Sequence, residues 1–288
     1  MLVRKNQILH GFNNKPVLYD FFETENTQAP LLVYTHGFNG FKDWGRFDLI
    51  AEAFVGEGFH FFKYNGSHNG TTPEFPESFV DLEAFSQNNY SIELYDLNAC
   101  VDYLYAHKSQ FGNFRSLVLF GHSRGGGISI IQCSRDHRVN ALMTWASVHQ
   151  CKTPWAKWPE EQMKDWEKRG IADYWNARTR QQMPLAYQLF LDYQKNEEVL
   201  NIEKAIASIH QPVLMIHGTL DSAVHIEDAR NLIKWHPNAE WIELPTDHVF
   251  GRKHPWEESE LPDSTKEAIQ YGVQFLRKHL NIEAFRGR

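Results

Sequence analysis

Gly121-His122-Ser123-Arg124-Gly125 sets a serine between two glycines, after the apolar run 116–120 and before the small and apolar run 126–131. A strand that turns sharply into a helix strains the backbone at the bend. Residues without a Cβ two positions to either side relieve the crowding, and the central side chain stands exposed at the strand's carboxyl end. A bare pentapeptide of this kind also makes an ordinary glycine-rich turn. The strand before it and the helix after it make Ser123 a candidate nucleophile.

Outward from this turn the chain alternates. Short apolar runs at 31–35, 59–64, 117–120, 139–145, 213–217 and 241–244 read as buried strands, and helical patterns fall at 47–55, 90–107, 125–133, 226–235 and 264–280. Strands separated by helices predict a mostly parallel sheet in an α/β chain. At the amino end, 7–12 and 15–23 flank Asn13 and Asn14, which tolerate positive φ, and so predict an antiparallel hairpin. Residues 148–198 break the alternation with Trp155, Trp158, Trp166, Trp175 and many charges, and read as a helical insertion within a single domain spanning 1–288. No repeat or low-complexity tract interrupts the pattern.

A length of 288 residues suits one large α/β domain with an insertion, and a net charge of −7 offers no basic footprint for nucleic acid or anionic lipid. Cys100, Cys133 and Cys151 show neither metal-ligand nor paired-redox spacing, so they are expected as reduced thiols in a cytoplasmic protein. The amino terminus lacks a secretory apolar stretch, and no run approaches the roughly 20 apolar residues of a membrane helix, so no membrane anchor is expected.

A serine hydroxyl is a poor nucleophile near neutral pH and needs a general base, itself held by a third group. Asp221 follows the run 213–217 and His248 follows 241–244, each where a strand's carboxyl end is expected. Serine, acid, histidine is also the chain order of one known hydrolase arrangement. Asp228 and Asp247 are the fallback acids, and Asp221 has a duller reading as a turn or helix cap. His225, His236 and His254 compete with His248, of which His254 is the serious rival. For an oxyanion, the turn His36-Gly37-Phe38-Asn39-Gly40 after the first parallel strand offers the Phe38 backbone N–H, opposite that of Arg124. The same glycines also suit a plain turn, with Phe38 in the core.

Together these motifs resemble the α/β-hydrolase superfamily, and most closely its small cytosolic esterases of the cinnamoyl-esterase and dienelactone-hydrolase-like kind. The resemblance spans nearly the whole chain and rests on His36-Gly37-Phe38, Gly121-His122-Ser123-Arg124-Gly125-Gly126, His217-Gly218 leading to Asp221, and Asp247-His248. It implies an α/β-hydrolase fold, a mostly parallel central sheet flanked by helices with 148–198 at the cap position. It also implies serine-dependent hydrolysis of short-chain or aromatic acyl esters through an acyl-enzyme. No cofactor or metal is needed for that, and a small-molecule ester is the partner implied. A serine peptidase or thioesterase uses the same three groups, and a binding protein of this fold uses none. In one loop the chain departs from its relatives: Tyr64-Asn65-Gly66-Ser67-His68-Asn69-Gly70 replaces an aspartate and arginine before Gly-His-Gly. Two alternatives stay open beside it. Arg124 and His149 either face the cleft and favour anionic substrates or, for Arg124, pair with an acid on the cap; the insertion's aromatic residues either build an acyl pocket or pack.

Overall fold

Strand runs with almost no polar side chains belong in the middle of a sheet covered on both faces. The computed structural model, which describes residues 1–176 and 179–282, gathers them into one eight-stranded sheet. Its strands are β1 (Leu2–His10), β2 (Pro16–Glu23), β3 (Leu31–Thr35), β4 (His60–Asn65), β5 (Leu117–His122), β6 (Val139–Trp145), β9 (Val213–Gly218) and β10 (Glu240–Leu244). Two more, β7 (Ile171–Asn176) and β8 (Gln181–Ala186), pair apart from it. The spatial order is β1-β2-β4-β3-β5-β6-β9-β10. β2 runs antiparallel to both neighbours, β1 and β4, and every other pair in the large sheet is parallel.

Side chains alternate faces along a strand, and the core divides accordingly. Leu31 and Val33 of β3 and Leu117 and Leu119 of β5 point into one cluster with Leu97, Val101 and Ile130, carried by α3 (Tyr90–Ala106) and α4 (Arg124–Arg135). Leu32, Tyr34, Val118 and Phe120 point the other way, against Phe47, Phe54, Ala268 and Leu276 of α1 (Phe47–Gly56) and α9 (Asp263–His279). The remaining helices are α2 (Leu82–Ser86), α5 (Glu160–Arg169), α6 (Gln188–Lys195), α7 (Ile202–Ala207) and α8 (Ile226–Trp235). This doubly covered parallel sheet is the α/β-hydrolase architecture expected from the motifs.

Two expectations need amendment. β1 begins at Leu2 rather than residue 7, and its exposed edge position explains why hydrophobic patterning did not mark it. Asn13 and Asn14 do take positive φ, at 50° and 61°, in the turn to β2. Within 148–198 the described residues form α5, α6 and the antiparallel β7–β8 hairpin, so the segment is not helical throughout. Trp166 explains the mixture: wholly buried, it donates its indole N–H to Leu185 O of β8 at 2.7 Å, which locks the hairpin onto α5. Residues 177, 178 and 283–288, part of the expected insertion and of the expected 1–288 domain, lie outside the described residues.

Candidate active site

Ser123 sits between the end of β5 and the start of α4 with φ +57° and ψ −123°, a conformation an L-residue adopts only under strain of about 1–3 kcal/mol. Close approach enforces it. A Cβ on Gly125 would run into the carbonyl oxygens of Thr35 and His36, and one on Gly37 would lie 2.8 Å from the Ser123 Cβ. The Ser123 N–H donates to Trp145 O at 3.0 Å and the Val148 N–H donates to Ser123 O at 3.3 Å, so the end of β6 and the loop after it clamp the elbow from its other side.

Asp221 follows β9 and His248 follows β10, and parallel pairing of those strands brings the two loops together. The His248 Nδ1–H donates to Asp221 Oδ2 at 2.7 Å. The other carboxylate oxygen accepts the N–H groups of Ala223 at 2.9 Å and Val224 at 2.8 Å. Burial alone would raise the Asp221 carboxyl, but side-chain hydrogen bonds from His217 and His248, the His248 charge and the Val224 amide hold it well below the usual carboxylate range. His217 is itself oriented, since its Nε2–H donates to Val224 O at 2.8 Å.

Ser123 and His248 line one cavity with His36, Gly37, Phe38, His122, Trp44 and Arg252 among others. It is narrow, a cavity of ≈ 30 Å³ with room for about two waters. The turn over it is closed by the Gly40 N–H on Gly37 O at 3.0 Å, with Asn39 at φ +56°. Phe38, second in that turn, keeps its N–H out of the closing bond. Arg124 is the first residue of α4, where a helix leaves its N–H groups without intrahelical acceptors.

The competing residues are engaged elsewhere. Asp228 accepts from His149 Nδ1 at 2.6 Å, while Asp247 accepts the Val249 and Gly251 N–H groups at 3.1 and 2.8 Å. His254 accepts the Gly45 N–H at 3.2 Å and stands edge-on to Phe41. His225 and His236 bound α8. The Arg124 guanidinium is buried, its carbon 5.6 Å from the Phe38 ring centroid. It pairs with Glu93 of α3 at 2.9 Å, donates to Thr153 O at 3.1 Å, and stacks on Tyr90 with its carbon 3.8 Å from the ring centroid. Its acid is therefore on α3, not on the insertion. Trp155 and Trp166 pack in the core, and the insertion approaches the cavity lining through Tyr174, whose ring centroid is 5.7 Å from that of Phe38.

Several supports escaped the sequence reading. His122 donates from Nε2 to His248 O at 2.9 Å, tying the elbow to the histidine loop. Burial first, then the neighbouring His248, pushes the His122 ring well below its ordinary pKa, so it acts as a neutral donor. The turn after β3 is anchored by a buried tetrad: Lys42 contacts Asp20 at 2.7 Å and Asp43 at 2.5 Å, and Lys63 contacts Asp20 at 2.9 Å and also Asp43. Lone polar letters inside the β2 and β4 runs, Asp20 and Lys63, were the available signal. The divergent loop after β4 finds its own bracing. Asn65 accepts the Lys42 N–H at 2.6 Å and donates to Pro76 O at 2.8 Å, while Asp96 accepts the Ser67 N–H at 2.7 Å.

A serine on a strained strand–helix elbow at the end of β5, with a histidine–aspartate pair on the loops after β10 and β9, is the arrangement that defines the α/β hydrolases. The chain belongs to the prolyl oligopeptidase family, whose profile matches residues 47–236 and so spans Ser123 and Asp221. No curated protein matches the sequence. Among solved structures, Est1E from Butyrivibrio proteoclasticus with ferulic acid bound is similar at TM-score 0.70 and 17% identity, covering 94% of this chain and 98% of that one. The α/β hydrolase GrgF from Penicillium sp. sh18 gives 0.73 at 15% identity, over 98% of this chain and all of its own (100%). A puromycin-hydrolyzing peptidase of Mycobacterium tuberculosis gives 0.64 at 14% identity, over 99% of this chain and 40% of its own. At such identities the likeness is one of fold. No helix among the described residues is long and apolar enough to cross a membrane.

Proposed function

We propose that the protein is a serine-dependent carboxylic ester hydrolase working through an acyl-enzyme. The reading is carried by the 2.7 Å bond from His248 Nδ1 to Asp221, on a ring that lines the same cavity as the elbow serine. With Nδ1 committed as donor, Nε2 is the nitrogen free to accept the Ser123 proton as the hydroxyl attacks the ester carbonyl. Asp221 stabilises the imidazolium that forms, and the N–H groups of Phe38 and Arg124 hold the oxyanion, each worth about 3–4 kcal/mol. The imidazolium returns its proton to the departing alcohol. Water then attacks the acyl-enzyme by the same route and releases the acid.

Family membership favours one second reading, a serine peptidase with the same groups, in which the leaving group is an amine. The esterase reading is preferred because Est1E, which binds ferulic acid, is similar in fold over 94% of this chain. Fluorophosphonate labelling tests the shared chemistry: the reagent should modify Ser123 in the folded protein and nothing in Ser123→Ala, whose kcat should drop by about 10⁶. Near-normal ester hydrolysis by folded Ser123→Ala would sink the proposal. Relative kcat/KM on 4-nitrophenyl esters and aminoacyl anilides decides between the two readings.

A further inference from the structure

Arg252 lies four residues beyond His248 and lines the cavity at Ser123, yet it is only 3% exposed. Its Nε donates to Val249 O at 3.1 Å, and its guanidinium carbon sits 5.0 Å from the Phe47 ring centroid and 5.7 Å from that of Trp44. Nη1 is buried and has no hydrogen-bond partner among the described residues. The acid whose charge reaches the group is Asp247, and its carboxylate is occupied by the Val249 and Gly251 amides. Burial lowers the guanidinium to about 10, which leaves it charged at pH 7.

A buried cation without an anionic partner is costly, and aromatic faces offset only part of that cost. We propose that this cavity is an anion subsite in which Arg252 receives a small carboxylate, so that the favoured acyl groups are those of short dicarboxylic half-esters. The arginine fork matches a carboxylate in geometry as well as charge. The acyl carbonyl would lie at Ser123 and the far carboxylate at Arg252. Hydrolysis then adds one water and yields the free dicarboxylate and an alcohol. This substrate assignment rests on the esterase reading, whereas the anion site does not.

The decisive measurement uses Ser123→Ala, in which binding is separated from turnover. Sodium acetate or succinate, titrated at constant ionic strength, should raise Tm saturably, by about 2–3 °C at ten times Kd, and acetamide should not. Arg252→Gln in the same background should abolish the rise, and Arg252→Lys should weaken carboxylate binding about tenfold, because an ammonium cannot pair bidentately. In the protein with Ser123 intact, kcat/KM for mono-4-nitrophenyl succinate should exceed that for 4-nitrophenyl butyrate by tenfold or more, with the ratio falling to near one in Arg252→Gln. Absence of a carboxylate-specific Tm rise in folded Ser123→Ala, or an equal rise in Arg252→Gln, overturns the subsite. A succinate-to-butyrate ratio near one with Arg252 intact overturns the substrate class. Carboxylate binding without hydrolysis of any ester would instead sustain the subsite and defeat the esterase reading. If Arg252→Gln fails to fold, Arg252→Lys and the acetate-against-acetamide contrast decide the matter.

Discussion

Replacing Asp221 by asparagine changes one atom and should nearly silence the enzyme. In the native site, one carboxylate oxygen takes the Ala223 and Val224 N–H groups and the other takes His248 Nδ1. An asparagine can keep the backbone pair only by turning its oxygen to them. Its NH₂ then faces Nδ1, which must accept, and the imidazole proton moves to Nε2. A ring protonated at Nε2 cannot take the Ser123 proton, and the wrong tautomer costs about 10⁴ in kcat, or about 5 kcal/mol. Asp228→Asn disturbs His149 and Asp247→Asn loosens a turn, so both should stay within about tenfold. The assay is kcat/KM on 4-nitrophenyl acetate with fluorophosphonate labelling of the same samples. More than a tenth of native activity in Asp221→Asn, or an equal loss in Asp247→Asn, would refute the assignment. The same substitution has a signature in stability. The folded Asp221 pKa lies below its unfolded value, so the carboxylate stabilises the fold fully above about pH 4, and that contribution is lost as pH falls. Asp221→Asn should therefore be relatively less destabilised in acid than at pH 7.

His248→Ala should remove both hydrolysis and fluorophosphonate labelling while His254→Ala retains both. Activity lost only in His254→Ala would reverse that choice. If the insertion sets substrate choice through Tyr174, Tyr174→Ala should shift relative rates across an acyl-length series while changing acetyl ester hydrolysis by no more than about threefold; an unchanged series would leave the segment a structural role alone. Asp96 has the opposite linkage to Asp221, because burial pushes its carboxyl up to about 6 despite bonds from the Phe12 and Ser67 amides. Its protonated form favours the fold, so its contribution falls as pH rises from about 4 to 6. Urea unfolding of the native protein relative to Asp96→Asn should lose on the order of 3 kcal/mol over that interval.

What the sequence disclosed was what strands and tight turns encode locally. Central parallel strands are mostly apolar, so 31–35, 117–120 and 213–217 are each found inside observed strands, and the candidate site residues after them were chosen by position alone. Where a strand faces water or packs by irregular contacts, that signal fails. β1 is largely exposed, and β7–β8 mixes Asp173, Pro184 and aromatic residues, so neither shows clean alternation. Long-range polar partners were illegible for a different reason. The Lys42–Asp20 pair and the bond from His122 to the His248 carbonyl join residues 22 and 126 positions apart, and only the register of the sheet brings them together. Arg252 was overlooked because an arginine in a turn after the last strand reads as surface.

The charges around the site follow a rule to which Arg252 is the exception. Lys42 and Lys63 share Asp20 and Asp43, and Arg124 has Glu93 together with the Tyr90 face. Those three cations are structural: each ties a segment bearing a candidate oxyanion donor, the loop of Phe38 or the first turn of α4, to a neighbouring strand or helix. Removing one partner of such a buried pair leaves an uncompensated charge, so Asp20→Ala or Glu93→Ala should act through stability before it acts on chemistry. Arg252 has no acidic counterpart of this kind among the described residues, and it lies between the cavity it lines and the core residue Phe47. A folded protein tolerates a buried, unpaired guanidinium where its partner arrives from outside. The same desolvation that makes Arg252 costly in the free protein strengthens its attraction for an entering carboxylate, since low local dielectric amplifies both. Selectivity for an anionic acyl group would then come from one residue on the same turn as His248.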